Sequence, residues 1–411
     1  MKQTLFIQFY GQTGSGWFDL CNGFSDTWDL CKNMGEMVWV PLEQTPDRWY
    51  DEAAYDLVPL PIEKGTVYVS ASYVNQLYQA YLWAVACPEI QVVVGGPVAA
   101  ERYAAASGWH SVHFKVEKPL PPNLTLTGQS VESLFNVPEF SGHWHLEIPR
   151  LIPAGNRIYF SYTLENQCYW KKCPFCSIAQ HSAAHFRKRR VLDLAFTDMD
   201  YRGHKIVRLN TGSMTPDHIR NLLPALPVAP DMEYRFFMRA AAAETLAMKD
   251  AVARMGDQIP DCTLGFGIEF PSDRMWRYLN KGTRMEEVIQ TLEFCTRTGF
   301  KVNANMILGW NNLVDQDLYD LEQFMQGLSP QTVTTLQLRW LFAHPYTPVY
   351  DTYDGIENSI RLGPFNCGFN VSVDLHQQQL NLAAAGIIKT ICEKKGIQLQ
   401  GYGNLKKGQN G

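Results

Sequence analysis

Short apolar runs recur in the first part of the chain, separated by polar and glycine-containing segments. Runs of this length, bounded by turn residues, predict buried or half-buried strands. The predicted strands are residues 4–9, 37–40, 66–70 and 91–94. A longer segment with helical spacing, residues 75–86, lies between the last two of them. Strands and a helix in this order are typical of a doubly wound α/β domain, which we place at residues 1–145.

The same alternation is more regular in the second part of the chain. The predicted strands are residues 158–163, 205–209, 234–238, 263–268, 302–308 and 333–338. The predicted helices are residues 216–226, 241–255, 285–298 and 315–328, with another that begins at Ser272. We expect Thr215 to cap the helix at residues 216–226, and Gly299 to end the helix at residues 285–298. Regular alternation of this kind indicates a parallel sheet with crossover connections over residues 146–350.

The last part of the chain, residues 351–411, is predicted to be a small, α-rich segment. Residues 353–373 have little periodicity, whereas residues 375–393 have a helical pattern. Residues 401–411 are rich in glycine and lysine and are expected to be mobile.

Composition narrows the classes of partner. The chain has 411 residues, a net charge of −5 and no long basic stripe, which argues against an obligate nucleic-acid partner. No apolar stretch approaches the length of a membrane span. Ten cysteines without a disulfide framework, and no secretory signal, predict a reducing, cytoplasmic location.

Three of those cysteines lie within nine residues. Cys168, Cys173 and Cys176 are spaced by four and then two residues, and the next cysteine is Cys262. Three thiolates can hold three irons of a four-iron cluster and leave the fourth iron open to a substrate or cofactor. A structural zinc site usually has four protein ligands in paired Cys-x-x-Cys units, so zinc is the less favoured alternative. A disulfide is disfavoured by the expected reducing compartment.

The run Cys-Tyr-Trp-Lys-Lys-Cys-Pro-Phe-Cys resembles the cluster loop of the radical S-adenosylmethionine (SAM) superfamily, in its cobalamin-associated branch. The common family spacing is three then two, so the position of Cys168 departs from it. The resemblance implies a 4Fe-4S cluster on the three cysteines and a partial (βα)6 barrel. It also implies that Phe175, before the last cysteine, lies near the adenine of SAM.

Residues at the ends of the later strands also resemble this superfamily, and the resemblance assigns them to SAM. Thr211, Gly212 and Ser213 follow the second strand, where the family binds the amino group of SAM. Arg239 ends the third strand, and its guanidinium suits a carboxylate. Glu269 ends the fourth strand and can accept hydrogen bonds from both ribose hydroxyls. The last two members of the expected SAM site share one face of the fifth strand and are Asn305 and Ile307.

The N-terminal domain resembles the cobalamin-binding domain that precedes the barrel in this branch. Its fourth strand ends in Gly-Gly-Pro, two serines follow the preceding strand, and a Gly-Gln pair stands where the family often has a Gly-Glu-Gly-Glu segment. The expected cobalamin residues are Ser70, Ser72, Gly95, Gly96, Pro97, Gly128 and Gln129. The Asp-x-His-x-x-Gly motif is absent, and residues 11–24 suggest a shortened domain. A degenerate Rossmann-like domain that only buttresses the barrel is the alternative.

The resemblance implies reductive cleavage of SAM to a 5′-deoxyadenosyl radical, then C-methylation of an unactivated carbon through cobalamin. The substrate would be a small molecule or a peptide, and the electron would come from an external one-electron reductant. Two alternatives stay open. One is a cobalamin-free radical reaction, such as cyclisation, epimerisation or rearrangement; the other is an iron–sulfur electron carrier or scaffold.

Overall fold

The computed structural model describes residues 3–12, 17–21, 24, 28–42, 52–96, 114–127, 144–146, 148–164, 168–180, 194–196, 201–353 and 359–401.

The N-terminal part forms a mostly parallel sheet. The strands of this part are β1 (Gln3–Gln12), β2 (Phe18–Cys21), β3 (Glu36–Pro41), β4 (Gly65–Ser70), β5 (Ile90–Gly95), β6 (Lys115–Val116), β7 (Leu124–Leu126) and β8 (Trp144–Leu146), and its helices are α1 (Trp28–Met34) and α2 (Val74–Ala86). β6 and β8 belong to two smaller sheets. β3 and β4 flank β1, β5 follows β4, and β7 follows β5, all in parallel. Phe9 of β1 stacks on Trp83 of α2 with ring centroids 6.1 Å apart, so the helix packs against the sheet at this point. The four strands and the helix predicted here are confirmed.

Six parallel strands form the second part of the structure. Its elements are β9 (Ile158–Thr163), β10 (Leu194–Phe196), β11 (Lys205–Asn210), α3 (Pro216–Leu222), β12 (Met232–Met238), α4 (Ala242–Met255), β13 (Cys262–Glu269), α5 (Asp273–Tyr278), α6 (Met285–Thr298), β14 (Lys301–Leu308), α7 (Asp315–Gly327) and β15 (Val333–Trp340). The strand order is β9, β11, β12, β13, β14, β15. Strands and helices alternate as predicted, and each predicted strand lies within the bounds of an observed one.

Local capping explains where several of these helices begin and end. The hydroxyl of Thr215 accepts a hydrogen bond from the backbone N–H of His218 (3.1 Å), and Ser272 caps α5 in the same way. Gly299 ends α6 in the left-handed conformation, with φ of 78°. The helix predicted over residues 216–226 is shorter than expected, because Pro224 has no N–H to continue it and Leu223–Ala225 forms a 3-10 turn.

One short strand joins the two parts into a continuous sheet. β2 pairs antiparallel with β1 and parallel with β9, so Gln12, Phe18 and Ile158 lie at one level. The carboxyl end of β1 therefore lies beside the amino end of β9. The sequence suggested that residues 11–24 merely shorten the domain; the described residues among them instead include this joining strand.

The C-terminal part contains more β-structure than predicted. Its elements are β16 (Phe342–Ala343), α8 (Pro348–Thr352), β17 (Ser359–Leu362), β18 (Phe365–Asn370), α9 (Leu375–Lys395) and β19 (Gln398–Gln400). β18 pairs with β16, β17 and the N-terminal β6, and β19 extends the main sheet beyond β15. The α-rich expectation thus holds for α9 alone. The domain boundaries stay a prediction, and most of residues 401–411 lies outside the described part of the chain.

No helix in the described part of the chain is both long and apolar enough to cross a membrane. None of the described cysteines forms a disulfide bond.

Candidate functional site

The three-cysteine loop follows β9 and returns against the end of β11. Cys168 forms an isolated parallel bridge with Ser213. A Cβ built on Gly212 would lie 2.6 Å from the Cβ of Cys168 and 2.9 Å from its Cα, so only glycine leaves room for this approach. Gly212, expected beside the amino group of SAM, thus also determines where the first cysteine lies.

The thiols of this loop lie in a partly buried and electropositive setting. Burial raises the pKa of Cys176 to about 12, although the backbone N–H groups of Ala179 and Ile178 favour its thiolate. Burial also raises the pKa of Cys173, against the attraction of the Lys281 ammonium. Without a metal the thiols of Cys173 and Cys176 therefore stay protonated at neutral pH, and metal ligation is what would deprotonate them.

No group of His, Cys, Asp and Glu side chains in the described residues converges on a single-metal site. In a four-iron cluster each thiolate binds a different iron, so the sulfurs need not converge on one point. Three half-buried cysteines near two cationic side chains, Arg239 and Lys281, suit a cluster with negatively charged ligands.

Trp170 anchors the middle of the loop on the segment after α5. Its indole N–H donates to the carbonyl of Asn280 (2.7 Å). Its ring covers Gly282, where a Cβ would come within 2.1 Å of the indole. The Arg239 guanidinium lies 3.7 Å from the ring centroid, and the Lys172 ammonium 4.5 Å from it. Residues 280–283 (Asn-Lys-Gly-Thr) therefore form the surface on which the cysteine loop rests.

Arg239 holds this surface together. It donates to the carbonyls of Lys281 (3.0 Å) and Gly282 (2.6 Å) and to the hydroxyl of Tyr169 (3.2 Å). It also lies 3.4 Å from the fully buried carboxylate of Glu244, and burial lowers its pKa. Its Nε has no hydrogen-bond partner among the described residues. The expected contact with the SAM carboxylate stays a prediction, since most of the guanidinium is engaged in positioning the loop.

Glu269 lies at an irregular end of β13 and forms an ion pair with Lys281. The two side chains are largely buried, and Nζ lies 3.0 Å from Oε1. Glu269 has φ of 59°, and the pairing with β14 shifts register between Gly267 and Glu269. A Cβ on Gly267 would lie 2.4 Å from Oε1 of Glu269, so the glycine makes room for the carboxylate. The Gly-Ile-Glu fragment thus positions a charged pair beside the cysteines.

Lys281 was not among the predicted site residues. Burial disfavours its charge, but Glu269 and the thiols of Cys173 and Cys176 more than offset this and raise its pKa. Nothing in the sequence around Lys281 indicates that its partner is Glu269 on β13.

The other expected SAM residues lie on nearby strand ends. Thr211 and Ser213 are buried, and the Ser213 hydroxyl has no hydrogen-bond partner among the described residues. Asn305 and Ile307 are half-buried on one face of β14, while the residues between them are buried on the other. These polar and apolar positions line the same end of the parallel strands, where ligands of such sheets bind.

Phe175 packs edge-on against Trp310, with ring centroids 5.8 Å apart. Trp310 in turn donates its indole N–H to the carbonyl of Ile307 (2.7 Å). The carbonyl of Pro174 accepts a hydrogen bond from Val349 (3.3 Å), so the segment after β15 also contacts the loop. Trp310 thereby links Phe175 to Ile307 at the end of β14, and the adenine slot expected there stays a prediction.

Helix α9 fixes the turn after β14 through two buried amides. Asn381 accepts hydrogen bonds from the backbone of Gly309 (2.6 Å) and Trp310 (3.2 Å) and donates to the carbonyl of Trp310 (2.8 Å). Gln377 does the same for Leu313. These two amides hydrogen-bond the backbone of the turn, as a neighbouring strand would, and so fix the position of Trp310, against which Phe175 packs. The helical pattern of α9 does not predict this function.

The segment after β15 contains one residue in an unusual backbone conformation. Tyr346 has φ of 63° and so adopts the left-handed conformation that glycine favours. Thr347 then caps α8 by accepting from the backbone of Tyr350 (3.3 Å).

The expected cobalamin residues are only partly described. Ser70, the last residue of β4, is buried, and Ser72, just beyond β4, is half-buried. Gly95 of β5 is the register partner of Ser70. Gly96 has φ of 95°, and a Cβ there would lie 2.6 Å from the carbonyl oxygen of Ala71. Its lack of a side chain therefore serves strand packing, whereas we expected it to serve approach to a ligand. The remaining three, Pro97, Gly128 and Gln129, lie outside the described residues.

A cavity of about 440 Å³ lies elsewhere, between α6 and α7. It is lined by residues such as Ile289, Leu292 and Phe324, and none of the expected site residues borders it. We therefore do not assign it to the site.

No protein-family model matches the chain, and no curated protein matches it in sequence. Among solved structures, it is similar to the cobalamin-dependent SAM radical enzyme OxsB with aqua-cobalamin and SAM bound. The TM-score is 0.53 at 12% identity, over 93% of this chain and 66% of that one. It also matches the radical SAM methyltransferase TsrM from Kitasatospora setae with cobalamin and a 4Fe-4S cluster bound, with TM-score 0.49 at 12% identity, over 87% of this chain and 79% of that one.

The likeness to OxsB extends over nearly the whole chain, and it confirms the expected order of an N-terminal Rossmann-like domain and a partial barrel. The family that the cysteine loop resembles in sequence is thus also the family whose fold this chain resembles. The chain has the α/β fold of cobalamin-dependent radical SAM enzymes.

Proposed function

We propose that this protein is a radical SAM enzyme that methylates an unactivated carbon with the help of cobalamin. The observation that carries the proposal is the cysteine loop, which is fixed at the ends of β9 and β11 beside Arg239 and the Lys281–Glu269 pair. An electron carrier or scaffold needs no such set of polar groups beside its cluster.

Each expected group has residues of suitable chemistry. Cys168, Cys173 and Cys176 would hold a 4Fe-4S cluster, with Lys281 and Arg239 supplying nearby positive charge. Ser213 offers a buried hydroxyl that has no partner among the described residues, and it lies beside Cys168. Glu269 offers a carboxylate for the ribose, and Phe175 with Ile307 an apolar face for the adenine.

When bound, the cluster supplies the electron for cleavage of the SAM sulfonium to methionine and a 5′-deoxyadenosyl radical, and cobalamin supplies a transferable methyl group. The residues of this chain bind and orient the reactants and exclude water from them. The electron would come from an external one-electron reductant.

Cobalamin would bind at the carboxyl ends of β4 and β5, where open α/β sheets take their ligands. Ser72 lies at this edge and is half-buried. Because the N-terminal strands run opposite to β9 at the junction, this edge faces the amino ends of the barrel strands. A substrate in the barrel interior would then lie between SAM on one side and cobalamin on the other.

The test is anaerobic reconstitution of the full chain with iron, sulfide and hydroxocobalamin, followed by incubation with SAM and dithionite. We expect about four irons and about one cobalamin per chain, and release of 5′-deoxyadenosine. Iron without 5′-deoxyadenosine would favour the carrier or scaffold. Release of 5′-deoxyadenosine from a protein that retains no cobalamin would favour a non-methylating radical reaction.

A further inference from the structure

A group of polar and aromatic side chains lies where the two parts of the sheet meet. Asp19 of β2 and Tyr159 of β9 are register partners and therefore point to the same face. Tyr73, just beyond β4, donates its hydroxyl hydrogen to the Asp19 carboxylate, and Arg208 of β11 hydrogen-bonds Tyr159. We call the space bordered by Asp19, Tyr73, Tyr159 and Arg208 the junction crevice.

The four side chains that border the junction crevice are half-buried, so each retains some accessible surface. Burial nevertheless raises the pKa of Asp19 to about 7, against the opposing effects of Arg208 and the Tyr73 hydroxyl. Charged and aromatic groups that are largely buried but still accessible are the kind of groups that line small-molecule sites.

Arg208 supplies the positive charge of the junction crevice. Its Nε is buried and has no hydrogen-bond partner among the described residues. The facing carboxylate is Asp19, whose charge is itself disfavoured by burial. By contrast, Arg235 on the next strand has its own partner, with Nε 2.6 Å from a carboxylate oxygen of Glu233. Arg208 thus has donor capacity left for another anionic group.

The surroundings of Arg208 are aromatic. Its guanidinium lies 5.3 Å from the ring centroid of Phe237. Tyr159 stacks with Trp17 at 6.5 Å, and Arg235 lies 4.3 Å from the Trp17 ring centroid on the same side of the sheet. A flat apolar ligand body would therefore find ring surfaces beside the charged group.

We propose that the junction crevice binds a small aromatic substrate through its carboxylate, with Arg208 as the anchoring residue. The guanidinium fork matches a carboxylate in two-point hydrogen bonding, which a neutral amide cannot reproduce. This inference rests on the proposed function, because it places the substrate of that reaction in the barrel interior on the side of β2 and β4.

The test uses 3-phenylpropanoate as the probe and 3-phenylpropanamide as its neutral counterpart. Binding to the reconstituted full-length protein with SAM present is measured by calorimetry. We expect the acid to bind at least tenfold more tightly than the amide, and R208Q to lose this preference. Arg220→Gln is the control, since Arg220 lies on the outer helix α3 in an exposed pair with Asp250. It should bind the acid as the wild type does.

Asp19→Asn separates a binding role from a structural one. Removing the neighbouring negative charge should tighten binding of the acid by a few fold and leave the amide unchanged. A structural role for the crevice would weaken both probes. Arg208→Lys, which keeps the charge but not the fork, should fall between the wild type and R208Q and serves if R208Q does not fold.

Three binding results would overturn the inference: equal affinity for acid and amide, no measurable binding of the acid to the wild type, or an unchanged preference in R208Q. Loss of cobalamin from R208Q would also overturn it, since it would assign Arg208 to the nucleotide phosphate of the cofactor. Release of 5′-deoxyadenosine by the wild type is measured in parallel. Its absence would refute the proposed function without affecting the binding result.

Discussion

The indole of Trp170 rests on the α-carbon of Gly282, so closely that a Cβ at Gly282 would come within 2.1 Å of the ring. Gly282 also has φ of 59°, a conformation that disfavours any side chain. Two residues far apart in sequence therefore fix the middle of the cysteine loop.

Gly282→Ala should displace Trp170 and with it the loop, so we expect iron content after reconstitution to fall by at least half. Gly256→Ala is a matched control, because Gly256 has a similar φ of 60° but nothing within 4 Å of the added Cβ. It bears the backbone strain without the collision. Equal iron loss in both variants would mean that strain, not the contact with Trp170, is responsible.

Cys173→Ala should abolish both iron retention and SAM cleavage, since it removes one of three thiolates from the cluster. Cys87→Ala is the control, because Cys87 is also half-buried but lies at the end of α2, away from the loop. It should retain about four irons per chain. Full iron content in a triple alanine variant at Cys168, Cys173 and Cys176 would refute the cluster assignment.

Glu269→Gln should weaken SAM binding by about 1–3 kcal/mol, the usual size for a hydrogen bond to a charged group, with iron content unchanged. It should also lower the unfolding midpoint, because Lys281 would be left without its partner in a largely buried place. Asp261→Asn breaks an exposed ion pair with Lys301 and should change neither SAM affinity nor the unfolding midpoint. Normal SAM affinity in Glu269→Gln would show that the assignment of the fourth strand is wrong.

Asp19 should make stability depend on pH. The pKa of an aspartate in the unfolded chain is about 4, whereas burial raises the pKa of folded Asp19 to about 7. The folded state holds the extra proton in between, so the contribution of Asp19 to stability should fall as pH rises from about 4 to about 7 and then level off. The facing groups Cys21, Tyr73, Tyr159 and Arg208 all have raised pKa values and do not titrate in this range.

Thermal unfolding of the apoprotein at pH 5 and pH 7.5 measures this effect. The stability of Asp19→Asn relative to the wild type should rise from pH 5 to pH 7.5, whereas that of Asp250→Asn, at an exposed position, should stay constant. Glu244, whose pKa burial raises to about 7, and His344, whose pKa burial lowers to about 4, affect both variants and the wild type alike. An unchanged slope in Asp19→Asn would assign the decline to other groups.

Ser72→Trp should prevent retention of cobalamin while iron content and SAM cleavage persist, because the bulky ring would occupy the strand edge where the corrin is expected. Gly96 is unsuitable for this test, since any side chain there meets Ala71. Ser329→Trp, on the turn after α7, is the control for adding an indole and should retain cobalamin. Cobalamin binding by Ser72→Trp as tight as by the wild type would place the cofactor elsewhere.

The sequence predicts the strands and helices of the barrel well because each carries its own signal. Apolar runs, Thr215, Ser272 and Gly299 act within a few residues of their positions. The joining strand β2 could not be predicted in this way, since its partners are β1 and β9 and its own sequence is short and mixed.

The candidate site shows the same difference between features with a local sequence signal and features that depend on distant segments. The three cysteines and the Gly-Ile-Glu fragment are evident in the sequence because their spacing carries the chemistry. The actual partners of Arg239 and Gly96 are not, because each depends on a segment distant in the chain that packs against it. Lys281 and Asp19 were missed for this reason, since their significance comes from partners on other strands.

The pairing of β2 with β9 has a consequence for how the chain can be divided. A barrel cut free at residue 146 would expose the backbone of β9 from Ile158 to Phe160, which β2 otherwise covers. Such a bare edge offers unpaired N–H and C=O groups to any other strand and promotes aggregation. The N-terminal domain is thus also the edge protection of the barrel, and we expect solubility to require both in one polypeptide.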